Sequence, residues 1–372
     1  MAISDNFWLR TIPNILNSSP GVPKYLIHFV TNRCNARCHH CFIDFDINTS
    51  NNRYKDNTKD NELSLDEIHR FTSSFKGQLN HVNLTGGEVF LRDDISEIVS
   101  SYVENGGISS ASILTNGYYT DKVINTVENI LVGHPKLKLQ VDISLDDIGE
   151  AHDKHRELKN LFSHTSKTIN HLKKIKSNQL TPSINLTATE ENHHKLDEIY
   201  DQIMEMFGDI NVNCGLVRGF NTSDEHIENY RRFSHRRVDN NLQFFRNTKG
   251  IKARFDLLYL LGVRNKLIIS ETISVVNGGK FKSTCVAGKV AAVLYGNGEV
   301  YPCEILEKPL GNIRDFDYDI SSVLKTKQTQ ECNDFIKKTC CSCDHGCFIG
   351  ATMTYSPKYY PALAKEWVNN FF

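Results

Sequence analysis

The sequence predicts an α/β protein built on a parallel sheet, followed by a smaller cysteine-bearing region. Three observations predict it. Between residues 25 and 220, apolar β-branched runs alternate six times with segments of helical period, the pattern of parallel strands joined by right-handed crossovers. A hairpin signal stands alone near residue 297, outside that alternation. The eleven cysteines are also grouped: three at 34–41, one at 214 and seven after residue 284.

Length and composition narrow the function classes. At 372 residues with 40% hydrophobic content, the chain can bury one large core and a smaller one. It carries 43 basic and 44 acidic residues for a net charge of −1, so no global field favours nucleic acid or an anionic membrane surface. No apolar run approaches the roughly 20 residues of a membrane span. The opening MAISDNFWLRTIPNIL lacks a charged n-region and a long apolar h-region, so a cytoplasmic protein is expected. In that setting, many cysteines point to metal or redox chemistry rather than disulfides.

Taken in order, Tyr25 to Val30 reads as a strand that feeds Cys34-Asn-Ala-Arg-Cys38-His-His-Cys41. Three thiolates at this spacing can converge on a cubane iron–sulfur cluster and leave one iron open. Zinc with His39 or His40 as fourth ligand, or plain buried thiols, suit the same residues. The polar stretch after Cys41 reads as a surface loop or a lid. Ser64 and Glu67 form a capping box for a helix with Leu65, Ile68, Phe71 and Phe75 on its apolar face. The strand 81–85 ends at Gly86-Gly87-Glu88, a turn that lets backbone approach a ligand closely. Further strands are expected at 112–117, 137–145, 183–189 and 211–217, separated by helices at 95–103, 121–131, 161–176 and 194–207. The run 224–247 is helical and locally basic, and the apolar stretch 255–273 can close an open side of the sheet.

After Cys285 comes a new pattern, Cys285-x12-Gly298-x4-Cys303, with a hairpin over 290–300 turning at Asn297-Gly298. Its thiols sit at the outer ends of the hairpin and can reach one metal. A helix-like stretch at 318–338 then leads to Cys340-Cys341-Ser-Cys343-Asp-His-Gly-Cys347. A zinc ribbon is the plain alternative here.

The Cys34-x3-Cys38-x2-Cys41 loop, followed one helix and one strand later by Gly86-Gly87-Glu88, resembles the radical S-adenosylmethionine (SAM) enzymes. The resemblance implies a partial (β/α)6 barrel with SAM on the open iron of a [4Fe-4S] cluster. It implies SAM contacts from Gly86, Gly87 and Glu88, although Val89 stands where the family usually has proline. It also implies contacts from Ser144 and, twelve residues on, Arg156, with Asp147 replacing the usual glycine, and from His40 beside adenine. The C-terminal pattern resembles the SPASM and twitch domains, but in shortened form. That shortening implies one auxiliary [4Fe-4S] cluster rather than two, with Cys285 and Cys303 joined by ligands from Cys340, Cys343 and Cys347. Cys332 and Cys341 are then spare thiols or part of a second cluster.

The implied organisation is an N-terminal extension (1–24), the barrel (25–220), a helical connection (221–280) and a β-hairpin/helix cluster domain (281–372). The implied chemistry is reductive cleavage of SAM to a 5′-deoxyadenosyl radical that abstracts hydrogen from a substrate C–H bond. The substrate is expected to be a peptide or protein side chain, with a small molecule such as a sugar or aminoglycoside as the alternative. A non-catalytic electron-transfer or scaffold protein is the rival of another class. A flavodoxin or ferredoxin is the expected electron donor; neither nucleic acid nor membrane is an expected partner. Cys214 stands outside both groups, as a small core hydrophobe or, by resemblance to some peptide epimerases, a hydrogen donor.

Overall fold

A computed structural model describes residues 21–42, 59–218, 222–249 and 257–370. The N-terminal extension before residue 21 and most of the polar loop after Cys41 lie outside the described residues.

The first strand, β1 (Tyr25–Thr31), is buried at six of its seven positions, as a parallel strand covered on both faces must be. Five further parallel strands follow: β2 (His81–Gly86), β3 (Ser110–Thr115), β4 (Lys138–Ser144), β5 (Leu180–Ala188) and β6 (Asn211–Leu216). Their crossovers carry α1 (Leu65–Ser73), α2 (Ile95–Ser101), α3 (Thr120–Gly133), α4 (Glu150–His155), α5 (Leu161–Lys174) and α6 (Leu196–Phe207). The capping box is in place on α1: the Glu67 N–H donates to Ser64 Oγ (3.3 Å) and the Ser64 N–H to Glu67 Oε2 (2.8 Å). Ile68 and Phe71 bury that helix's apolar face completely, each contributing about 2 kcal/mol. Helix α2 ends in a π-helical turn, Tyr102–Gly106, which Gly107 terminates at φ 80°.

Two long helices, α7 (Asp224–Lys249) and α8 (Leu257–Val276), follow the sixth strand. The chain then returns to the sheet. Strand β7 (Ala291–Leu294) pairs parallel with β1, placing Tyr25 against Ala291, and continues into an antiparallel ribbon with β8 (Glu299–Tyr301) and β9 (Gly311–Asn312). The strand order is therefore β6-β5-β4-β3-β2-β1-β7-β8-β9 in one sheet. The expected hairpin forms, but its first strand also extends the barrel sheet, which no local pattern announces.

The 318–338 stretch splits into α9 (Ile320–Leu324) and α10 (Lys327–Thr339), because Thr326 caps a new helix by accepting from the Thr329 N–H. Helices α11 (Gly346–Tyr355) and α12 (Tyr360–Asn369) end the described chain and pack on α8. Among the described residues, no helix is long and apolar enough to cross a membrane.

Candidate active site and cysteine groups

The Cys34–Cys41 loop leaves the carboxyl end of β1 and is clamped from both sides. On one side, the Gly87 N–H donates to the Thr31 carbonyl (2.9 Å) and the Glu88 N–H to the Arg33 carbonyl (2.8 Å). A Cβ on Gly86 would lie 2.1 Å from the Thr31 oxygen, and one on Gly87 would lie 2.2 Å from the Arg33 oxygen. Only glycine permits that approach. On the other side, the Arg37 and His39 N–H groups donate to the carbonyls of Arg156 (3.0 Å) and His155 (3.1 Å). The Arg33–Glu62 ion pair (2.8 Å) closes the loop's base.

The three loop thiols face one another in a desolvated setting. Burial pushes the Cys34 thiol up to about 11 and Cys38 up to about 12, and each would be raised further by a charge on its neighbours. Without a metal Cys34 and Cys38 are neutral thiols, and iron would have to displace their protons. Arg156 Nη1 lies 3.8 Å from the Cys38 sulfur, and its charge favours thiolate at both Cys34 and Cys38. His39 is turned away as a fourth ligand, with its ring nitrogens 2.9 Å from Glu157 and 3.7 Å from Glu191. Among the described residues, neither cysteine group is arranged as a mononuclear metal site.

The atoms around the loop are incomplete without a ligand. Asn32 Oδ1, Asn35 Nδ2 and His40 Nδ1 are buried and have no hydrogen-bond partner. Buried polar groups are nearly always paired, so a ligand offering both donors and acceptors fits here, as a three-thiolate iron–sulfur cluster with SAM would. Asn116 ties the end of β3 to this region by donating to Asn35 Oδ1 (2.8 Å).

Glu88 departs from its expected place. Its carboxylate accepts from the Phe90 N–H (3.0 Å), Thr115 Oγ1 (2.7 Å) and the Asn116 N–H (2.8 Å), and it is 1% exposed. With its oxygens satisfied inside the protein, the side chain pins β3 to the Gly-Gly turn and does not line the cavity. Its backbone neighbours Gly86 and Gly87 do line it.

Ser144, at the end of β4, lines the cavity and does not cap the next helix, whose N-cap is Gly149. Arg156 is buried and bound to Asp146 Oδ2 through Nε (2.8 Å) and Nη2 (2.7 Å). Asp146, to which the sequence assigns no role, joins this corner together. Burial works against its charge, yet Arg156, His40 and His152 together hold its carboxyl well below the usual range. His40 Nε2 stands 3.5 Å from it, and burial drives that imidazole down to about 4, so it is a neutral ring facing the cavity.

The cavity measures about 1890 Å³ and runs inside the sheet from the cysteine loop to helices α8, α11 and α12. The apolar 255–273 stretch thus supplies one wall through Val263, Arg264 and Ile268. Cys214 lines the cavity instead of being sealed in a core, and burial raises its thiol to about 12.

The C-terminal cysteines sort differently from the expected set. Cys285 and Cys303 lie within electrostatic reach of each other and of Cys341 and Cys343, Cys332 lies within reach of Cys341, and burial raises all five thiols, Cys303 to about 12. Cys340 is exposed; it is the C-cap of α10, in the left-handed conformation at φ 50°. Cys347 begins α11 facing the cavity instead, where burial raises its thiol to about 11 beside Glu304, Arg218 and Tyr25. Cys332 is buried on α10. The spacing of 340–347 alone could not show that Cys340 is exposed while adjacent Cys341 is partly buried.

The Radical SAM superfamily pattern matches residues 29–203. The GTP 3′,8-cyclase of Klebsiella pneumoniae (strain 342) is 38% identical over 97 residues, 25% of this chain and 27% of that protein. The one from Cronobacter sakazakii is 40% identical over the same length and shares. The chain thus matches about a quarter of these relatives' length. In structure it resembles anSMEcpe with bound AdoMet (TM-score 0.59, 17% identity, 94% of this chain and 93% of that one). It also resembles Streptococcus suis SuiB (TM-score 0.56, 16% identity, 82% and 66%). At such identities the likeness is one of fold. With the cysteine loop, the Gly-Gly turn and the parallel half-barrel, residues 29–203 form a radical SAM domain, the fold of a superfamily of enzymes that use SAM and a [4Fe-4S] cluster.

Proposed function

We propose that this chain is a radical SAM enzyme that acts on a peptide or protein side chain held in the barrel cavity. The carrying observation is that one cavity of about 1890 Å³ joins the three-cysteine loop to helices contributed by the C-terminal region. A chamber of that size exceeds the needs of SAM alone and of most small ligands. In support, anSMEcpe binds a Cp18Cys peptide and SuiB a precursor peptide, SuiA, on the same fold.

Cys34, Cys38 and Cys41 would hold the barrel cluster, and Cys285, Cys303, Cys341 and Cys343 an auxiliary one. When bound, the barrel cluster and SAM supply hydrogen-atom abstraction from a substrate C–H bond. The protein's part is placement. Gly86, Gly87, the His40 ring, Ser144 and Arg156 line the cavity beside the cysteine loop and would hold SAM there. The apolar wall of α8 shields the chamber from water, which suppresses side reactions of an open-shell intermediate.

Anaerobic reconstitution with iron and sulfide, then incubation with SAM and dithionite, tests the reading. About eight irons, four per cluster, and formation of 5′-deoxyadenosine are expected. An iron-loaded protein that forms no 5′-deoxyadenosine is an electron carrier or scaffold, and the proposal fails.

A further inference from the structure

Arg264 on α8 lies in the cavity wall in an arrangement the chemistry above does not use. Burial desolvates its guanidinium and pushes its pKa down. Its Nη1 donates to Thr354 Oγ1 (3.1 Å), and its Nε is buried with no partner among the described residues. The groups whose charge bears on it are the phenols of Tyr25 and Tyr355 and the Cys347 thiol. All three are raised by burial and stay neutral at neutral pH. His81, driven down to about 4 chiefly by burial, is neutral too. Among the described residues, no carboxylate pairs with Arg264.

The other cavity arginines are placed differently. Arg218 is paired with Glu304 at 2.9 Å and rests on the Phe42 ring at 4.2 Å. Arg237 donates to the Val212 carbonyl, tying α7 to β6. Arg264 alone among them is a buried fork with neither carboxylate nor backbone carbonyl to hold. A desolvated, uncompensated charge weakens the fold, and an arginine's planar fork matches a carboxylate in two-point geometry. Neutral hydroxyl donors beside a single guanidinium suit one negative charge, not the two of a phosphate monoester.

We propose that Arg264, held in place by Thr354, whose hydroxyl donates to the Gly350 carbonyl (2.8 Å), forms with Tyr25 and Tyr355 a carboxylate subsite that anchors the substrate peptide at the end of the chamber away from SAM. Tyr25 opens β1 and the cysteine loop leaves its other end; six residue steps at about 3.3 Å put roughly 20 Å between them. The anchored carboxylate is therefore remote from the reacting carbon, and belongs to the peptide's C-terminus or to an acidic side chain further along it. This rests on reading the cavity as the substrate chamber.

The test uses the reconstituted full chain with SAM bound and titration calorimetry. The probes are acetyl-trialanine with a free carboxylate, the same peptide as its carboxamide, and inorganic phosphate. Wild type should bind the acid at least about tenfold more tightly than the amide, the scale of a charge-assisted fork. Arg264→Gln should lose that discrimination, Arg264→Lys keep part of it, and Arg264→Gln should melt at the same or higher temperature. Equal affinity for acid and amide in wild type, including no binding of either, overturns the subsite, as does tighter binding of phosphate. Formation of 5′-deoxyadenosine, followed in the same preparations without peptide, reports separately on the enzyme reading: it should survive in Arg264→Gln.

Discussion

Arg156 grips a single oxygen of Asp146, Oδ2, with two nitrogens at 2.7 and 2.8 Å, while the other oxygen, Oδ1, accepts the Thr187 N–H at 2.9 Å. The pair joins the end of the helix after β4 to the loop that leaves β4 and, through Thr187, to the last residues of β5, directly under the cysteine loop. It gives Arg156 a structural duty beside any contact with SAM.

Ser144 and Arg156, both expected to touch SAM, should therefore behave differently when truncated. Arg156→Ala leaves a fully buried carboxylate unpaired, at a cost of about 3–5 kcal/mol, and weakens SAM binding as well. Ser144→Ala should weaken SAM binding while leaving the melting temperature within about a degree, the effect of a substitution that empties no core and orphans no charge. Calorimetric titration of SAM and thermal melts of both variants separate the effects. A Ser144→Ala protein with wild-type SAM affinity would remove Ser144 from the site.

Adjacent cysteines give the second contrast. Cys341→Ala should lose the auxiliary cluster, lowering iron from about eight to about four per chain, whereas Cys340→Ala should keep all of it. Iron assay and the spectra of the reduced proteins decide between them. Iron loss in Cys340→Ala with none in Cys341→Ala would restore the ligand set that the spacing suggests.

A pH effect comes from His28, fully buried on β1 with Nδ1 2.9 Å from the Tyr102 hydroxyl and Nε2 unpartnered. Burial, helped by Arg92, drives its pKa from 6.5 to about 3. The folded state stays neutral where the unfolded chain takes up a proton. Stability is thus complete above pH 6.5 and falls below it, by up to about 1.4 kcal/mol per pH unit until pH nears 3. Urea unfolding of the metal-free chain between pH 7 and 4.5 should show this slope, shallower by about one proton in His28→Gln. An unchanged slope would mean that His28 is protonated in the fold.

The barrel was legible because each unit announces itself twice, by an apolar run and by the polar or glycine-bearing turn that ends it. The expected strand at 211–217, for example, is β6 at Asn211–Leu216. What was not legible depends on direction. Glu88 reads as a ligand by motif, and only the positions of Thr115 and Asn116 reveal that its oxygens are taken. Asp146 looks like an ordinary post-strand aspartate until Arg156, His40 and His152 converge on it. Cys347 leaves the cysteine group because a helix begins beneath it, and Cys340 leaves because it caps one; neither fact is a matter of spacing.

The close approach of Gly87 to the cysteine loop yields the last prediction. Gly87 sits so close to the cysteine loop that an added Cβ would meet the Arg33 carbonyl at 2.2 Å for oxygen and 2.6 Å for carbon. Those are backbone atoms one residue before Cys34, so they cannot swing aside as a side chain would. Gly87→Ala must push the loop off the turn, breaking the Glu88 N–H to Arg33 bond (2.8 Å) and spreading the three thiols. Overpacking of this kind costs about 1–3 kcal/mol, which a domain of this size can survive folded. The expected protein is therefore folded, carries its auxiliary cluster and lacks the barrel one, with iron near four per chain and no 5′-deoxyadenosine formed. Iron counts and the spectrum of the residual cluster measure it. Full iron in a folded Gly87→Ala chain would show that the cysteine loop can hold its cluster without the glycine turn beneath it.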